Sequence, residues 1–269
     1  GAVATANYIA REHGVRSGIP IAVAKKRLKD VQAVFLPVDR VYYEEVSDRV
    51  MNLLRTYADS FEQVGIDEAY LDISERTKEN FKEARWLGHE IKDKLKAEEE
   101  ITCSIGIAPN KLLAKIASDV QKPDGLTVVE PDEIESFLSP MPVGRILGIG
   151  AKTEKKMAEL GITTVSDLAK FDIQRLLDAF GKNNGNYFHN ASLGIDDAPV
   201  HDRGEATSIS RIATLKENTR DLSLIAEKTN QLSEEVFSRL QERGLTYKSV
   251  GIVLVMTGLA VHSRSKTFE

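Results

Sequence analysis

The local pattern of this chain changes character twice, and that limits its fold more than any other feature. From Pro131 to about Leu193 the sequence reads as short helices punctuated by glycine, whereas the segments before and after it mix strand-like runs with longer amphipathic helices. Such a chain does not organise around one uniform layer. Its 269 residues allow two or three domains at roughly 100–200 residues each. An apolar fraction of 42% suits packed cores and excludes a disordered chain. No apolar run approaches the roughly 18 residues of a membrane span, and the first residues lack the basic and apolar regions of a signal peptide. A soluble, cytoplasmic protein with no membrane partner is expected.

Along the chain, helices are expected at 4–13, stopped by Gly14, and at 21–28. Two amphipathic helices follow at 44–59 and 79–97, and another at 110–121 is closed by Pro123-Asp124-Gly125. Strand-like runs lie at 63–66, 69–73, 101–107 and 126–129, giving an α+β pattern with a central antiparallel sheet. Residues 200–206 read as a linker. Beyond it come a strand at 207–215, a long helix at 221–243, a strand at 248–256 and the start of another at 259–263. This order is β-α-β-β, the first two-thirds of a split βαβ unit. The chain does not start with Met and stops at Thr267-Phe268-Glu269 inside a strand or hairpin, so it reads as a fragment.

The net charge of −5 argues against a non-specific nucleic-acid binder, but the charge is unevenly spread. Residues 1–37 carry six basic and two acidic side chains, and residues 38–100 carry ten basic and seventeen acidic. A basic end and an acidic middle suit a site where phosphate meets a divalent metal, although ordinary surface variation produces the same contrast. One cysteine, Cys103, excludes a disulfide framework and a cysteine-ligated zinc, and reads as core. The five histidines, His13, His89, His189, His201 and His262, are scattered singly without a partner set.

Four segments could carry chemistry. In Val64-Gly65-Ile66-Asp67-Glu68-Ala69-Tyr70-Leu71-Asp72, two adjacent carboxylates interrupt an apolar stretch. Neighbours on a straight strand face opposite ways, so Asp67 and Glu68 reach one metal only at a bend or hairpin turn. Either they hold Mg²⁺ together with substrate phosphate, or they are surface residues of a solvated turn. Thr5, Tyr8 and Arg11, spaced along one expected helix face, could grip a triphosphate, or Arg11 could simply snorkel. Lys111, Lys115 and Lys122 form a stripe opposite Leu112, Leu113, Ile116 and Val120, which is either a solvated face or a basic edge over the sheet. The most specific of the four is Leu147-Gly148-Ile149-Gly150, which feeds a helix containing Lys152 and is followed by Leu160-Gly161-Ile162-Thr163-Thr164-Val165. A Gly-Ile-Gly hairpin at a helix N-terminus exposes backbone N–H groups to anions, and the whole reads as a helix-hairpin-helix that grips a phosphodiester backbone. It lacks the third glycine of a dinucleotide fingerprint.

In this order the segments resemble the Y-family translesion DNA polymerases of the DinB or DNA polymerase IV type, nearest to archaeal members. The resemblance spans essentially the whole chain. It is carried by Ala4-Thr5-Ala6-Asn7-Tyr8 with Arg11, Gly14 to Pro20, Ile66 to Asp72, Gly106-Ile107-Ala108 with Asn110-Lys111, Lys115 to Asp119, Lys122-Pro123 with Gly125, Gly148 to Gly150 and Ser208 to Arg211. It implies an α+β, multi-domain right hand: small fingers at 1–38, an antiparallel-sheet palm at 39–129, an all-helical helix-hairpin-helix thumb at 130–199 and an incomplete βαββ little finger from 207. By the same resemblance Asp67 and Glu68 are the catalytic carboxylates and ligate two Mg²⁺ ions, while Thr5, Tyr8, Arg11 and Lys122 hold the triphosphate of an incoming dNTP. Gly148, Ile149, Gly150 and Lys152 would sit on a duplex phosphate, and Ser208, Ser210, Arg211 and Arg264 would track the DNA backbone.

The implied activity is template-directed, low-fidelity and poorly processive synthesis across damaged DNA. A monomer would work on primer–template DNA, with a sliding clamp reached through a C-terminal segment absent here. Gly65 stands where the family usually has serine. The resemblance also implies truncation at both ends, with a first palm strand and its metal-binding aspartate missing from the start. Two rivals follow from the residues: a catalytically inactive DNA-binding fragment, and another palm-type enzyme such as a nucleotide cyclase, which would need no duplex grip.

Overall fold

The computed structural model describes residues 1–202, 207–215, 217–258 and 260–268. Part of the expected linker (203–206), Leu259 and Glu269 lie outside them. The chain divides into two compact units, one formed by both ends (Gly1–Val38 with Gly204–Glu269) and one by the middle (Asp39–Arg203).

At the N-terminus, α1 (Tyr8–Glu12) and α2 (Ile21–Arg27) pack around Val3, Val15, Ala24 and Leu28. The expected helix from residue 4 starts later. Asn7 is extended and its side chain accepts the Ala10 N–H at 2.9 Å, which makes it the N-cap. The residues before it are taken up by Val3, whose N–H donates to Ile19 O and whose carbonyl accepts from Gly18 N–H. Gly14, at φ +74°, ends the turn as expected.

The middle unit begins with α3 (Arg40–Arg55), four residues earlier than the spacing predicts, because Asp39 caps it through Tyr42 N–H. Then β1 (Ser60–Gln63) and β2 (Ala69–Asp72) pair antiparallel, with Glu62 opposite Tyr70. The expected first strand is displaced, and residues 64–68 form the hairpin loop. After α4 (Ser74–Thr77) and α5 (Phe81–Glu99) come β3 (Ile105–Ile107), α6 (Lys111–Val120) and β4 (Leu126–Val128).

The expected central antiparallel sheet is corrected here. The described strands form three separate pairs, and β3 and β4 run parallel. The cause is the intervening helix: a strand, a crossover helix and a second strand return the chain in the same direction. Gly106 lets α6 lie directly on β3, since a Cβ there would stand 2.0 Å from the Ala114 carbonyl oxygen.

The all-helical segment contains α7 (Ile134–Leu138), α8 (Ala151–Glu159), α9 (Val165–Lys170), α10 (Ile173–Phe180) and α11 (Lys182–Ser192), with short 3₁₀ turns at Pro131–Glu133 and Val143–Arg145. Its core holds the fully buried Met157, Ile162, Leu168 and Leu176 and is continuous with Leu112, Leu113 and Ile116 of α6. Val120, expected with those apolar residues, is instead half exposed.

Beyond the linker, residues 207–215 are not a strand. Among the described residues they have no ladder partner, and Arg211 is drawn to Glu235 of the following helix instead. That helix is α12 (Leu222–Glu242), and β5 (Ser249–Val255) then pairs antiparallel with β6 (Val261–Thr267). What is present here is therefore α-β-β.

Candidate active site

The β1–β2 hairpin ends in a five-residue loop, and Asp67 and Glu68 occupy its far side, both exposed. Two backbone bonds close the loop, with Val64 and Gly65 N–H both donating to Glu68 O at 2.9 and 3.2 Å. A third contact comes from below: the buried Ser47 hydroxyl of α3 donates to Ile66 O at 2.6 Å. The loop is the bend that adjacent carboxylates need to project together. Asp72 is used differently, accepting from Ser74 N–H at 2.9 Å, and so it shapes the chain after β2.

α6 brings cations to this hairpin. Lys115 Nζ pairs with Glu68 and lies 3.8 Å from Asp119 Oδ2, while Lys122 Nζ is 2.5 Å from Asp119 Oδ1. Lys111 reaches Glu62 on β1 at 2.6 Å. Burial works to lower the Lys115 pKa, but the Glu68 hydrogen bond and the nearby carboxylates outweigh it, so the ammonium is held above the ordinary lysine value. Burial also raises the Tyr70 phenol, partly opposed by Lys115. Lys111 and Lys115 therefore form a basic edge against the hairpin, while Lys122 beyond the helix end stays partly exposed and pairs with Asp119.

Magnesium is commonly held by one or two carboxylates, with water and phosphate oxygens completing its shell. The turn offers that donor set. Among the described residues the Asp67 carboxylate has no hydrogen bond or ion pair, and Glu68 faces only an ammonium. No group of three or more His, Cys, Asp or Glu side chains able to hold a metal exists among the described residues. These residues fit an ion completed by substrate rather than one caged by protein.

In the other unit, Arg11 stacks over the Tyr8 ring at 5.0 Å and its Nε donates to Ala6 O at 2.9 Å. Thr5 precedes the helix, so the expected single face bearing Thr5, Tyr8 and Arg11 does not form, and only the latter two meet.

The glycine hairpin is built as a helix N-terminus. Gly148 has φ +82°, Ile149 is buried, and Gly150 is the N-cap of α8 with open space where a Cβ would be. Tyr187 of α11 donates to Leu147 O at 2.9 Å and braces the turn. Lys152 is exposed on the first turn of α8. On the far side, Thr164 and Asp167 form a reciprocal cap for α9, and backbone N–H donors from Thr164 and Thr163 pull the Asp167 carboxyl down to about 2.

Ser208 and Ser210 line a shallow cleft of about 230 Å³ with Arg239 of α12 and Arg243 just past its end. Arg211 Nε stands 3.2 Å from Glu235, close enough for an ion pair but too misaligned for a hydrogen bond. Arg264 lies on β6 opposite Ile252, with its guanidinium on Ser263 O. The residues that sequence reasoning left without a role are Ser47 and Asp119, and the pairing of Lys115 with Glu68 was not foreseen. For Asp119 a signal existed, since Lys115, Asp119 and Lys122 alternate in charge at helical spacing.

Known proteins resemble this chain over its whole length. The impB/mucB/samB family matches residues 1–119, the DNA polymerase-iota thumb domain residues 145–196, and the impB/mucB/samB C-terminal domain residues 206–269. DNA polymerase IV of Nitrosopumilus maritimus (strain SCM1) is 45% identical, over 99% of this chain and 73% of that protein. DNA polymerase IV of Saccharolobus solfataricus is 39% identical, over 100% of this chain and 74% of its own length. Among solved structures, the Y-family chimera Dbh-Dpo4(243-245)-Dbh has a TM-score of 0.90 at 34% identity, covering 100% of this chain and 76% of that one. The insertion ternary complex of Dbh DNA polymerase has a TM-score of 0.74 at 34% identity, with the same two coverages.

Proposed function

The chain belongs to the impB/mucB/samB family, the Y-family DNA polymerases of DNA polymerase IV type, and is a DNA-directed DNA polymerase; from that premise we propose that it extends primers across damaged template, as a low-fidelity, poorly processive monomer in the cytoplasm, with Asp67 and Glu68 as its catalytic carboxylates. The observation that carries this reading is the closed hairpin turn presenting both carboxylates beside the cationic edge of α6.

In the proposed reaction the primer 3′-oxygen forms a bond to the α-phosphorus of a dNTP. The bond from that phosphorus to the β-phosphate oxygen breaks, pyrophosphate leaves, and the hydroxyl proton passes to solvent. Asp67 and Glu68 would hold two Mg²⁺ ions, which when bound supply charge neutralisation at the attacking and leaving oxygens. Tyr8 and Arg11 offer a phenol and a guanidinium to the triphosphate, with Thr5 from the preceding loop and Lys122 from beyond α6. The chain's remaining contribution is placement: Ser47 and the loop bonds hold the turn in shape without substrate.

Gly148, Ile149, Gly150 and Lys152 would take a duplex phosphate at the α8 N-terminus, where free N–H groups face outward. Ser208, Ser210, Arg211 and Arg264 would follow the backbone further along, and a sliding clamp would be a further partner. Neither contact reads sequence, as a polymerase that accepts any template requires.

The test is primer extension with Mg²⁺ and dNTPs by the wild-type chain and by Glu68→Ala. Extension by wild type, its loss in Glu68→Ala and DNA affinity within a few fold support the reading. An extending Glu68→Ala removes the assignment. Salt-dependent DNA binding with no extension by wild type would favour the rival of a DNA-binding chain without chemistry.

A further inference from the structure

Four charged side chains form an alternating line from the carboxylate turn along α6: Glu68, Lys115, Asp119 and Lys122. Lys115 pairs with Glu68 and is 3.8 Å from one Asp119 oxygen, and the other Asp119 oxygen is 2.5 Å from Lys122. Residues 115 and 119 are one turn apart on α6, and Lys122, two residues past the end of the helix, still reaches Asp119. A single carboxylate thus serves two ammonium groups, one leading back to the proposed metal ligand and one assigned to the triphosphate.

We propose that Asp119 is a positioning residue for nucleotide binding, a displaceable counter-ion that holds Lys122 until a triphosphate takes the lysine over. This rests on the assignment of Lys122 to the triphosphate made above. Both partners are more than a third exposed, and ion pairs of that kind add little to stability. A weak tether of this sort is one that a polyanion can break. While it lasts it keeps Lys122 beside α6. The fixed negative charge also repels any anion approaching Lys122, so a singly charged phosphate competes poorly while a triphosphate can win. After Lys122 leaves, Lys115 remains near Asp119, so the carboxylate keeps a cation.

The test measures dNTP binding to the chain on primer–template DNA whose primer ends in a 3′-dideoxynucleotide, in Mg²⁺ buffer, so that binding is read without chemistry. Asp119→Asn keeps the side-chain size and removes the charge. It is expected to bind the complementary dNTP about three- to tenfold tighter, from loss of one repulsion partly screened by water and salt. Asp119→Glu should return binding towards wild type. A role confined to holding the fold would weaken binding in Asp119→Asn, so equal or weaker binding overturns the proposal. Lys122→Ala separates the two layers of argument. It should weaken binding, and in its background Asp119→Asn should tighten binding clearly less than it does in wild type, because only the direct repulsion is then left to remove. If Lys122→Ala binds as wild type, the triphosphate assignment fails and this proposal with it. If it weakens binding while Asp119→Asn does not tighten it, only the proposal falls.

Discussion

Lys111 at the first turn of α6 and Glu62 in the middle of β1 form an ion pair of 2.6 Å with both side chains largely out of solvent. The same ammonium donates to Pro199 O at 3.0 Å and stands 5.4 Å from the Tyr70 ring centre. One lysine thereby ties the hairpin strand leading to the carboxylate turn to α6 and to the chain leaving the helical segment. Asn110, donating to Gly194 O, and Asp196, accepting from Leu112 N–H, reinforce the second tie.

Lys111→Ala removes one cationic partner of the buried Glu62 carboxylate. Breaking a buried pair from one side typically costs about 3–5 kcal/mol, whereas replacing both partners with apolar groups of similar size is often nearly neutral. Urea unfolding should show a loss of up to that order in Lys111→Ala and a substantial recovery in Lys111→Met with Glu62→Leu. Equal losses in the single and double variants would show that the pair is not what holds α6 to β1.

Gly106→Ala tests the contact between β3 and α6. The added Cβ would meet Ala114 O at 2.0 Å and Ser118 N at 2.4 Å, both backbone atoms that cannot swing aside. Overpacking typically costs about 1–3 kcal/mol where side chains can yield, so a rigid backbone clash should reach or exceed the top of that range. The thermal midpoint should fall by several degrees or the chain should fail to fold. A midpoint within one degree of wild type would mean the helix can slide off the strand.

Much of this arrangement can be read along the chain, and what cannot has identifiable causes. That Asp67 and Glu68 require a bend follows from strand alternation alone, and the hairpin supplies it. The parallel pairing of β3 and β4 was equally implicit in a strand–helix–strand order, but pairing direction is decided by the crossover and not by either strand's composition. Thr5 fell outside its expected helix because Asn7 captures the Ala10 N–H, a local hydrogen bond that overrides apolar spacing. Residues 207–215 alternate like a strand yet lack a ladder among the described residues, and alternation cannot reveal whether a neighbour is present. Lys115 and Glu68 are 47 residues apart, so nothing local signals their meeting.

Asp167 predicts a pH-dependent cap on α9. Its carboxyl is held down to about 2 by the N–H groups and hydroxyls of Thr164 and Thr163. A folded pKa below the unfolded value of about 3.9 means the charged cap stabilises above that value and its contribution is lost as pH falls towards about 2. The difference in urea midpoint between wild type and Asp167→Ala should be full at neutral pH and shrink across that window. A difference that stays constant down to about pH 2.5 would place the effect in something other than the ionised cap.

Gly148 and Gly150 allow fold and phosphate contact to be separated at one hairpin. Gly148 adopts φ +82°, which an alanine reaches only with strain of about 1 kcal/mol, so Gly148→Ala should lower stability by that order and disturb the turn. Gly150 has φ −88° and open space where a Cβ would stand, so Gly150→Ala should fold within about 0.5 kcal/mol of wild type. If a DNA phosphate approaches the N–H groups at the start of α8, that open space is where it comes closest, and a methyl group there holds it off. Gly150→Ala should therefore weaken duplex binding several-fold at fixed salt without a change in thermal midpoint. Binding equal to wild type would move the phosphate contact away from this helix end and leave the hairpin a purely structural turn.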